Sequence, residues 1–205
     1  MKKEGLAQRV RAFWFGDTLA NPARIPARMG FWFGPDAERD ELIRTDWGEA
    51  VEEACAGRLD ELGKTAIGRL ALILLLDQLP RNIYRGTPRA FEKDGRVRYL
   101  MRDGMSRLLD MELSPIERSF FYMPLQHSEF LEDQELAVSR YAHLVTEVAA
   151  EYRDIFENVL RHAQQHRDVV ARFGRFPHRN AILNRLNTPE EAAYLAGNAP
   201  AFGQR

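Results

Sequence analysis

The stretch Leu70-Ala71-Leu72-Ile73-Leu74-Leu75-Leu76 runs directly into the polar residues Asp77-Gln78-Leu79-Pro80-Arg81-Asn82. Together with Thr65 as its opening residue, the first stretch predicts a helix that is apolar on every side. A helix of that kind lies buried at the centre of a protein. We expect Pro80 to end this helix, because proline has no N–H and clashes with the preceding turn. The fold is therefore predicted to form around one central helix.

Helical periodicity continues on both sides of this stretch, and no run of alternating β-branched residues indicates a strand. Two capping boxes predict helix starts, at Ser114-Pro115-Ile116-Glu117 and at Thr188-Pro189-Glu190-Glu191. Two long helices are predicted over residues 134–150 and 153–173, and Gly174 is a natural left-handed C-cap for the second. Many short helices joined by short loops predict an all-α fold, an irregular array of antiparallel helix pairs.

An aromatic tetrapeptide occurs twice near the start of the chain, as Phe13-Trp14-Phe15-Gly16 and as Phe31-Trp32-Phe33-Gly34. Such large apolar groups could form a patch for a partner, but they favour anchoring in the core. Asp36 follows the second copy and is expected to cap the next helix.

The composition is that of an ordinary globular protein, with 45% hydrophobic and 29% charged residues in a chain of 205. We expect a single all-helical domain over residues 1–205. A formal net charge of -1 argues against a general nucleic-acid-binding protein. The longest apolar run is far shorter than the roughly 20 residues of a membrane span, so no membrane partner is expected. With one cysteine and no apolar signal segment, the chain is expected to be cytoplasmic.

Three polar segments stand next to apolar helices, each built around a proline: residues 77–82, 124–129 and 175–180. Polar and ionisable groups are costly to bury, so placing many of them beside core helices suggests a function. We therefore expect the three polar segments to converge on one shared site. A polar Arg/His/Asn/Asp pocket is the prediction that follows.

The first polar segment supplies the candidate ligand-binding residues Asp77, Gln78, Arg81, Asn82 and, one helical turn later, Arg85. A carboxylate at the end of the buried helix faces the negative end of the helix dipole, so a cation has to compensate it. Arg81 is the obvious candidate. The pair could line a pocket wall, or it could be a buried ion pair that fixes the helix end.

The third polar segment supplies Arg175, His178, Arg179 and Asn180, with His178 also a candidate catalytic group. A rigid turn after Gly174 would display these side chains, and residues on firmly positioned loops often carry function. The Arg-Asn pair recurs from the first polar segment, so two such corners facing one cleft would form a polar clamp. The alternative is a turn whose polar groups only cap helix ends.

The second polar segment ends in His127, Ser128 and Glu129, in a predicted loop. His127 and Glu129 could form a catalytic proton-transfer pair, and Ser128 could bind ligand or merely cap a helix. His166 shares a helix face with His162 and could approach the third polar segment. A histidine pair alone is a weak indication of metal, and we assign no metal ligand.

Three long stretches of the chain resemble the signature of a bacterial family known as domain of unknown function 924. They are Leu76-Asp77-Gln78-Leu79-Pro80-Arg81-Asn82-Ile83-Tyr84-Arg85-Gly86, Pro124-Leu125-Gln126-His127-Ser128-Glu129 and Phe173-Gly174-Arg175-Phe176-Pro177-His178-Arg179-Asn180-Ala181-Ile182-Leu183. The early Phe-Trp-Phe-Gly and the late Thr-Pro-Glu-Glu fit as well, so the resemblance spans nearly the whole chain. It implies an all-helical fold of the tetratricopeptide-like superfamily, and thus a tetratricopeptide-like superhelix, but no settled activity.

The chain differs from the pattern of that family at two positions. Phe130 stands where an acidic residue commonly follows His-Ser-Glu, which removes a possible third carboxylate from a metal site. Asn184 stands where a glycine commonly precedes the arginine that matches Arg185. Asparagine tolerates the left-handed backbone, so the second difference is mild.

Three hypotheses for the function follow. In the first, the arginines of the pocket hold an anionic small molecule or a peptide carboxylate, which the neighbouring amides and Asp77 orient. In the second, the chain is a metal-assisted hydrolase that uses Asp77, His127, Glu129, His166 and His178. In the third, it is a protein–protein interaction module of the tetratricopeptide-like type. The first is preferred, and the sequence names neither a cofactor nor an oligomeric state.

Overall fold

The computed structural model describes residues 3–197 and 202, and within these residues it contains helices and turns but no strand. The α-helices are α1 (Lys3–Phe15), α2 (Ile25–Phe33), α3 (Ala37–Cys55), α4 (Ala66–Ile73), α5 (Leu79–Ile83), α6 (Asp94–Ser106), α7 (Pro115–Phe121), α8 (Met123–Gln126), α9 (Leu131–Glu147), α10 (Arg153–Phe173) and α11 (Pro189–Ala196). A π-helical turn (Leu74–Gln78) joins α4 to α5. The remaining helical turns are of the 3-10 type, at Gly16–Leu19, Pro22–Arg24, Asp60–Lys64, Pro88–Phe91, Leu109–Glu112, Ala150–Tyr152 and Pro177–Arg179. The all-α prediction is confirmed.

The predicted capping residues are found where the sequence places them. The side chains of Asp36 and Thr65 accept hydrogen bonds from the first turns of α3 and α4. Both capping boxes are formed, at the starts of α7 and α11. Gly174 ends α10 with a φ of 69°, and Asn184 has a φ of 54°, so both positions adopt the left-handed backbone expected of them.

The prediction that Pro80 ends the central helix was wrong. The π-helical turn widens the helix just before the proline, with the N–H of Leu79 donating to the carbonyl of Leu74. Pro80 therefore falls in the first turn of α5, where its missing N–H leaves no donor unsatisfied. The chain continues in the same direction to Ile83, which carries Arg81 and Asn82 on a helix instead of a loop.

The central helix and the two aromatic tetrapeptides form the core. Every residue from Leu70 to Leu79 is buried. The ring of Phe120 lies 5.4 Å from that of Phe15 and 4.8 Å from that of Trp32. The aromatic tetrapeptides thus anchor the core as predicted, except that Phe33 is 44% exposed.

Helices α9 and α10 form an antiparallel pair, in which Arg167 near the end of α10 lies 3.6 Å from Glu135 near the start of α9. Helix α10 has the predicted bounds, whereas α9 begins three residues before its predicted start. The tetratricopeptide-like superhelix and the single domain over residues 1–205 stay predictions. No helix among the residues described is long and apolar enough to cross a membrane.

Candidate binding pocket

The first and second polar segments meet apolar residues of α2 and α10 around a cavity of about 380 Å³, which we call the main cavity. Its apolar side is formed by Met29, Trp32, Phe33, Met123, Val159 and Phe202. Its polar side is formed by Gln78, Arg81, Asn82, Arg85, Gln126 and His127, with His166 beside them. The main cavity is therefore amphipathic, with an apolar half and a hydrogen-bonding half.

A second, much smaller cavity of about 20 Å³ continues the polar side, and we call it the niche. It is lined by Arg81, His127, His166, His178, Arg179 and Phe202. Four of these six residues also line the main cavity, so the two spaces adjoin. A volume of this size is enough for about one water molecule or one ligand oxygen.

The π-helical turn carries Asp77, whose side chain is fully buried and lines neither cavity, but which contacts residues that do. One oxygen of Asp77, Oδ1, lies 2.9 Å from Arg81 Nη1 and 2.8 Å from His127 Nδ1. The side-chain amide of Gln78 donates to the other oxygen. Burial alone would raise the pKa of Asp77, but the charge of Arg81 and the hydrogen bond from His127 lower it far below its usual value. Asp77 is therefore ionised, and the predicted compensation by Arg81 is present.

Arg81 and Arg179 share one further carboxylate, that of Asp94. Arg81 Nη2 donates to both Asp94 oxygens, at 2.9 and 3.0 Å, whereas Arg179 Nη1 is 3.5 Å from one of them. Arg179 also donates to the carbonyl of His127 at 3.0 Å. Its Nε has no hydrogen-bond partner in the described part of the chain, and only 6% of the residue is exposed. Burial and the neighbouring charge of Arg81 lower the pKa of Arg179 to about 10, and its contact with a carboxylate, that of Asp94, is long at 3.5 Å.

Arg85 and Asn82 are held by a carboxylate from helix α3. Arg85 Nε donates to Asp40 Oδ2 at 2.6 Å, and the Asn82 amide donates to Asp40 Oδ1 at 2.8 Å. The charge of Arg85 is thus largely offset inside the protein. Arg85 lines the main cavity, but it offers a ligand less net charge than the sequence alone suggested.

Gln126 presents an unsatisfied amide to the main cavity. His166 Nδ1 lies 2.7 Å from the carbonyl of His162, which can only accept, so this nitrogen carries the proton. Gln126 Nε2 lies 3.2 Å from the same nitrogen, which cannot accept its hydrogen bond because it already carries a proton. Gln126 Oε1 also has no hydrogen-bond partner among residues 3–197 and 202. Rotating the amide by 180° satisfies the oxygen and frees the nitrogen. In either orientation one polar atom of Gln126 has no hydrogen-bond partner among the described residues.

Arg175 and Asn180 do not reach the cavities and bind instead to the cap of helix α11. Arg175 pairs with Glu191, Nε to Oε1 at 2.6 Å, and the Asn180 amide donates to Asn187 at 2.8 Å. The left-handed turn at Gly174 directs Arg175 towards α11. The polar clamp of two Arg-Asn corners is therefore not formed, because only Arg179 of the third segment, with His178 beside it, faces the niche.

Ser128 and Glu129 also lie outside the cavities. Ser128 Oγ donates to Asp133 Oδ2 at 2.6 Å. Glu129 accepts two hydrogen bonds from Arg185, at 2.7 and 2.9 Å, and one from the N–H of Phe176. The pairing of His127 with Glu129 was wrong, because Arg185 and this N–H occupy both Glu129 oxygens while Asp77 holds His127.

A family model for a bacterial protein of unknown function, DUF924, matches residues 10–199. The chain belongs to the DUF924 family. A solved structure, that of a protein of unknown function from Agrobacterium tumefaciens, is 36% identical in sequence. The match covers 95% of this chain and 98% of that one, with a TM-score of 0.77. No curated protein matches the chain. The resemblance drawn from the three motifs is therefore confirmed for the family.

In the described part of this DUF924 protein, the acidic and imidazole groups are not arranged for a metal ion. Within the residues that the structure describes, no group of three His, Cys, Asp or Glu side chains has that arrangement. His127, His166 and His178 do converge on the niche. Two guanidiniums share that space with them, and positive groups repel a cation.

Several cavity residues of this DUF924 protein were missed by the sequence analysis. Three of them, Trp32, Met123 and Val159, could not be distinguished from ordinary core residues. An apolar side chain that lines a cavity follows the same sequence periodicity as one that packs against its neighbours in the core. Gln126 belongs to the second polar segment. Its position one residue before His127 could have indicated that it lies near the cavity. Phe202 lies beyond the last predicted helix, and no sequence signal pointed to it.

Proposed function

We propose that this DUF924 protein binds a small carboxylic acid with an apolar body. The observation that carries the proposal is Arg179, a buried guanidinium with an unpartnered Nε, in a niche that adjoins a cavity lined in part by apolar side chains. The carboxylate would occupy the niche, and the apolar body would lie between Trp32 and Met123.

The charge distribution supports an anion. Two guanidiniums face the niche, and they share Asp94 unequally, which leaves Arg179 with the longer contact. Hydrogen bonds between charged groups contribute about 1.5–3 kcal/mol each, and a ligand carboxylate would complete the donors of Arg179. Because Asp77 and Asp94 already offset part of the positive charge, a single negative charge fits better than a phosphate.

The apolar half supports a ligand body made of hydrocarbon. Pockets for small molecules are mostly apolar, measure roughly 300–1,000 Å³ and orient the ligand through a few polar groups. The main cavity, at about 380 Å³, lies near the lower limit of that range. Gln126 would then supply the orienting hydrogen bond, in addition to the ion pair with Arg179.

Thermal unfolding in the presence of ligands tests the proposal. Octanoate and phenylacetate should raise the melting temperature, and saturation at about 100 times the dissociation constant should add roughly 2.7 kcal/mol of stability. Octanol, acetate and inorganic phosphate should raise it much less, because each lacks either the single charge or the apolar body.

Two arginine variants give the matched comparison. Arg179→Gln should weaken octanoate binding at least tenfold, measured by calorimetry, because it removes the charge that faces the niche. Arg172→Gln is the control, since Arg172 is exposed and pairs with Glu190 on the surface. The proposal is wrong if the carboxylates leave the melting temperature unchanged, or if Arg179→Gln binds octanoate as tightly as the control does.

A further inference from the structure

Asp77 and His127 form a carboxylate–imidazole pair that carboxylate binding alone does not use. An ionised carboxylate can only accept hydrogen bonds, so the proton of His127 is on Nδ1, which points at Asp77 from 2.8 Å. The opposite nitrogen, Nε2, is therefore a bare acceptor. It has no protein partner in the part of the chain that is described, and the His127 ring lines both cavities.

The position of this pair in the fold also favours chemistry. Asp77 lies on the π-helical turn, and single π-turns within α-helices occur frequently at functional sites. A carboxylate that orients an imidazole, with the far nitrogen open to a cavity, is the arrangement of a general base and its positioning partner. A buried pair that served stability alone would not need a free imidazole nitrogen in a ligand-sized space.

We propose that His127, positioned by Asp77, is the general base of an esterase whose substrate is an acyl ester held in the main cavity. The acyl chain lies in the apolar half, and the ester carbonyl points into the niche. This inference rests on the proposed function, because the carboxylate that the site is proposed to bind is the product of the hydrolysis.

The reaction needs only water and the ester. His127 Nε2 takes a proton from a water molecule as its oxygen bonds to the carbonyl carbon, and the carbonyl electron pair moves onto the carbonyl oxygen. The developing oxyanion lies beside Arg179, whose fixed positive charge stabilises it. The oxyanion then re-forms the carbonyl, the bond to the alcohol oxygen breaks, and His127 returns its proton to that oxygen. One ester and one water give one carboxylic acid and one alcohol.

Hydrolysis of p-nitrophenyl octanoate by the full-length protein tests the proposal, with p-nitrophenyl acetate as the short-chain comparison. The octanoate should be the better substrate, because only its chain fills the apolar half. His127→Gln keeps a donor for Asp77 but has no basic nitrogen, so kcat/KM should fall about 100-fold or more. His143→Gln is the matched control, since His143 is an exposed residue of α9 that pairs with Glu147, and its rate should equal that of the unaltered protein.

Rescue by added imidazole separates a base from a structural role. His127→Ala leaves a gap beside Asp77, and free imidazole at millimolar concentration should restore part of the lost hydrolysis. It should not restore any to His127→Gln, in which the space is filled. Circular dichroism checks that both variants fold. If His127→Ala does not fold, the comparison of His127→Gln with His143→Gln tests whether His127 is the general base.

The pH profile of the unaltered protein is an independent readout. Charged and titratable groups face His127 from several elements: Asp77, Arg81, Asp94, His166, His178 and Arg179. Burial, followed by the charge of Arg81, lowers the pKa of His127 below its usual 6.5. The neutral base should therefore persist to below pH 6.5, with kcat/KM level above that point and falling about tenfold per pH unit below the lowered pKa.

The outcomes distinguish the two proposals. If octanoate stabilises the protein but neither ester is hydrolysed faster than by His127→Gln, the binding function stands and the general-base role is wrong. If neither ester is hydrolysed and octanoate does not bind, both proposals are wrong. Hydrolysis that His127→Gln leaves unchanged would also overturn the role of His127, whatever the result with octanoate.

Discussion

Asp77 shows how one residue can link the stability of this protein to its candidate function. Its carboxylate is fully buried, yet it forms an ion pair with Arg81 and hydrogen bonds with His127 and Gln78. A buried charge is tolerated only when such partners compensate the loss of water. The three partners of Asp77 line the main cavity, so the group that fixes the end of the central helix also fixes the floor of the pocket.

Replacing Asp77 by Asn should lower the free energy of unfolding by about 3 kcal/mol, because the buried guanidinium of Arg81 loses one of its two carboxylates. Urea unfolding measures the change. Asp168→Asn is the control, since Asp168 is an exposed partner of Arg167, at 2.7 Å. Exposed pairs contribute about 0–1 kcal/mol, so equal losses in the two variants would contradict the role assigned to burial.

The sequence predicted arginine and histidine side chains near the central helix, but not which of them line the same cavity. Arg175 and Arg179 lie four residues apart in one motif, yet Arg175 binds Glu191 of helix α11 and only Arg179 faces the niche. The left-handed turn at Gly174 was predictable, but the direction in which it sends each side chain depends on where α11 packs. His127 was predicted as a site residue, and the structure pairs it with Asp77, which is 50 residues away in sequence.

At the scale of elements, helix α6 contains two glycines, and replacing each by alanine should have opposite effects on the free energy of unfolding. A Cβ added at Gly95 meets nothing within 4 Å, whereas one at Gly104 would lie 2.7 Å from Phe121 Cζ. Gly95→Ala should raise the free energy of unfolding by about 0.5 kcal/mol, since alanine loses less backbone freedom on folding. Gly104→Ala should lower it by about 1–3 kcal/mol through overpacking.

Urea unfolding of the two alanine variants provides the comparison, and each is the control for the other because both lie on α6. If Gly104→Ala is as stable as Gly95→Ala, the ring of Phe121 has moved aside without cost, and the close packing of α6 on α7 is not a constraint.

Helix boundaries were predictable where a local interaction decides them. Asp36, Thr65 and Gly174 end or begin helices through contacts with residues a few positions away, and all three predictions hold. Pro80 failed because the outcome depends on tertiary structure. The buried surroundings favour continuing the central helix, and a π-helical turn accommodates the missing N–H. The expectation that proline ends a helix considers only its neighbours in sequence. The free energy gained by burying Leu79 and Ile83 favours a helix that continues past Pro80.

At the scale of the whole molecule, the cavity assembles from elements that are far apart in sequence. Trp32 comes from α2, Met123 from α8 and Val159 from α10. No local pattern distinguishes these side chains from the packed core around them. The sequence could therefore predict that a polar site exists beside the central helix, but not that its other half is apolar.

Phe202 should contribute to ligand affinity more than to stability. Its ring lies 3.7 Å from that of His166, measured between centroids, and it lines both the main cavity and the niche. Phe202→Ala should weaken octanoate binding about tenfold, which equals 1.4 kcal/mol, because water would reach the niche and screen Arg179. Calorimetry measures the affinity and urea unfolding the stability. An unchanged affinity would show that Phe202 does not shield the niche.

Stability should fall with pH in two stages. The pKa values of His127 and His166 are lowered by burial, so the unfolded chain binds protons near pH 6.5 that the folded protein does not yet bind. The carboxylates of Asp77, Glu129 and Glu191 have pKa values lowered by their partners, that of Glu191 to about 2, so the same imbalance returns below about pH 4.5.

In both windows the unfolded state holds more protons, so the free energy of unfolding decreases as pH falls, by at most about 1.4 kcal/mol per group and pH unit. Urea unfolding at intervals from pH 8 to pH 3 should show a level region above pH 7, a first decline below pH 6.5 and a steeper one below pH 4.5. His127→Gln should make the first decline shallower, because it removes one of the two buried imidazoles, and it should leave the contributions of Glu129 and Glu191 to the second decline unchanged. A stability that stays level from pH 7 to pH 5 would mean that the buried imidazoles bind protons as readily in the folded protein as in the unfolded chain, which their burial and the neighbouring guanidiniums oppose.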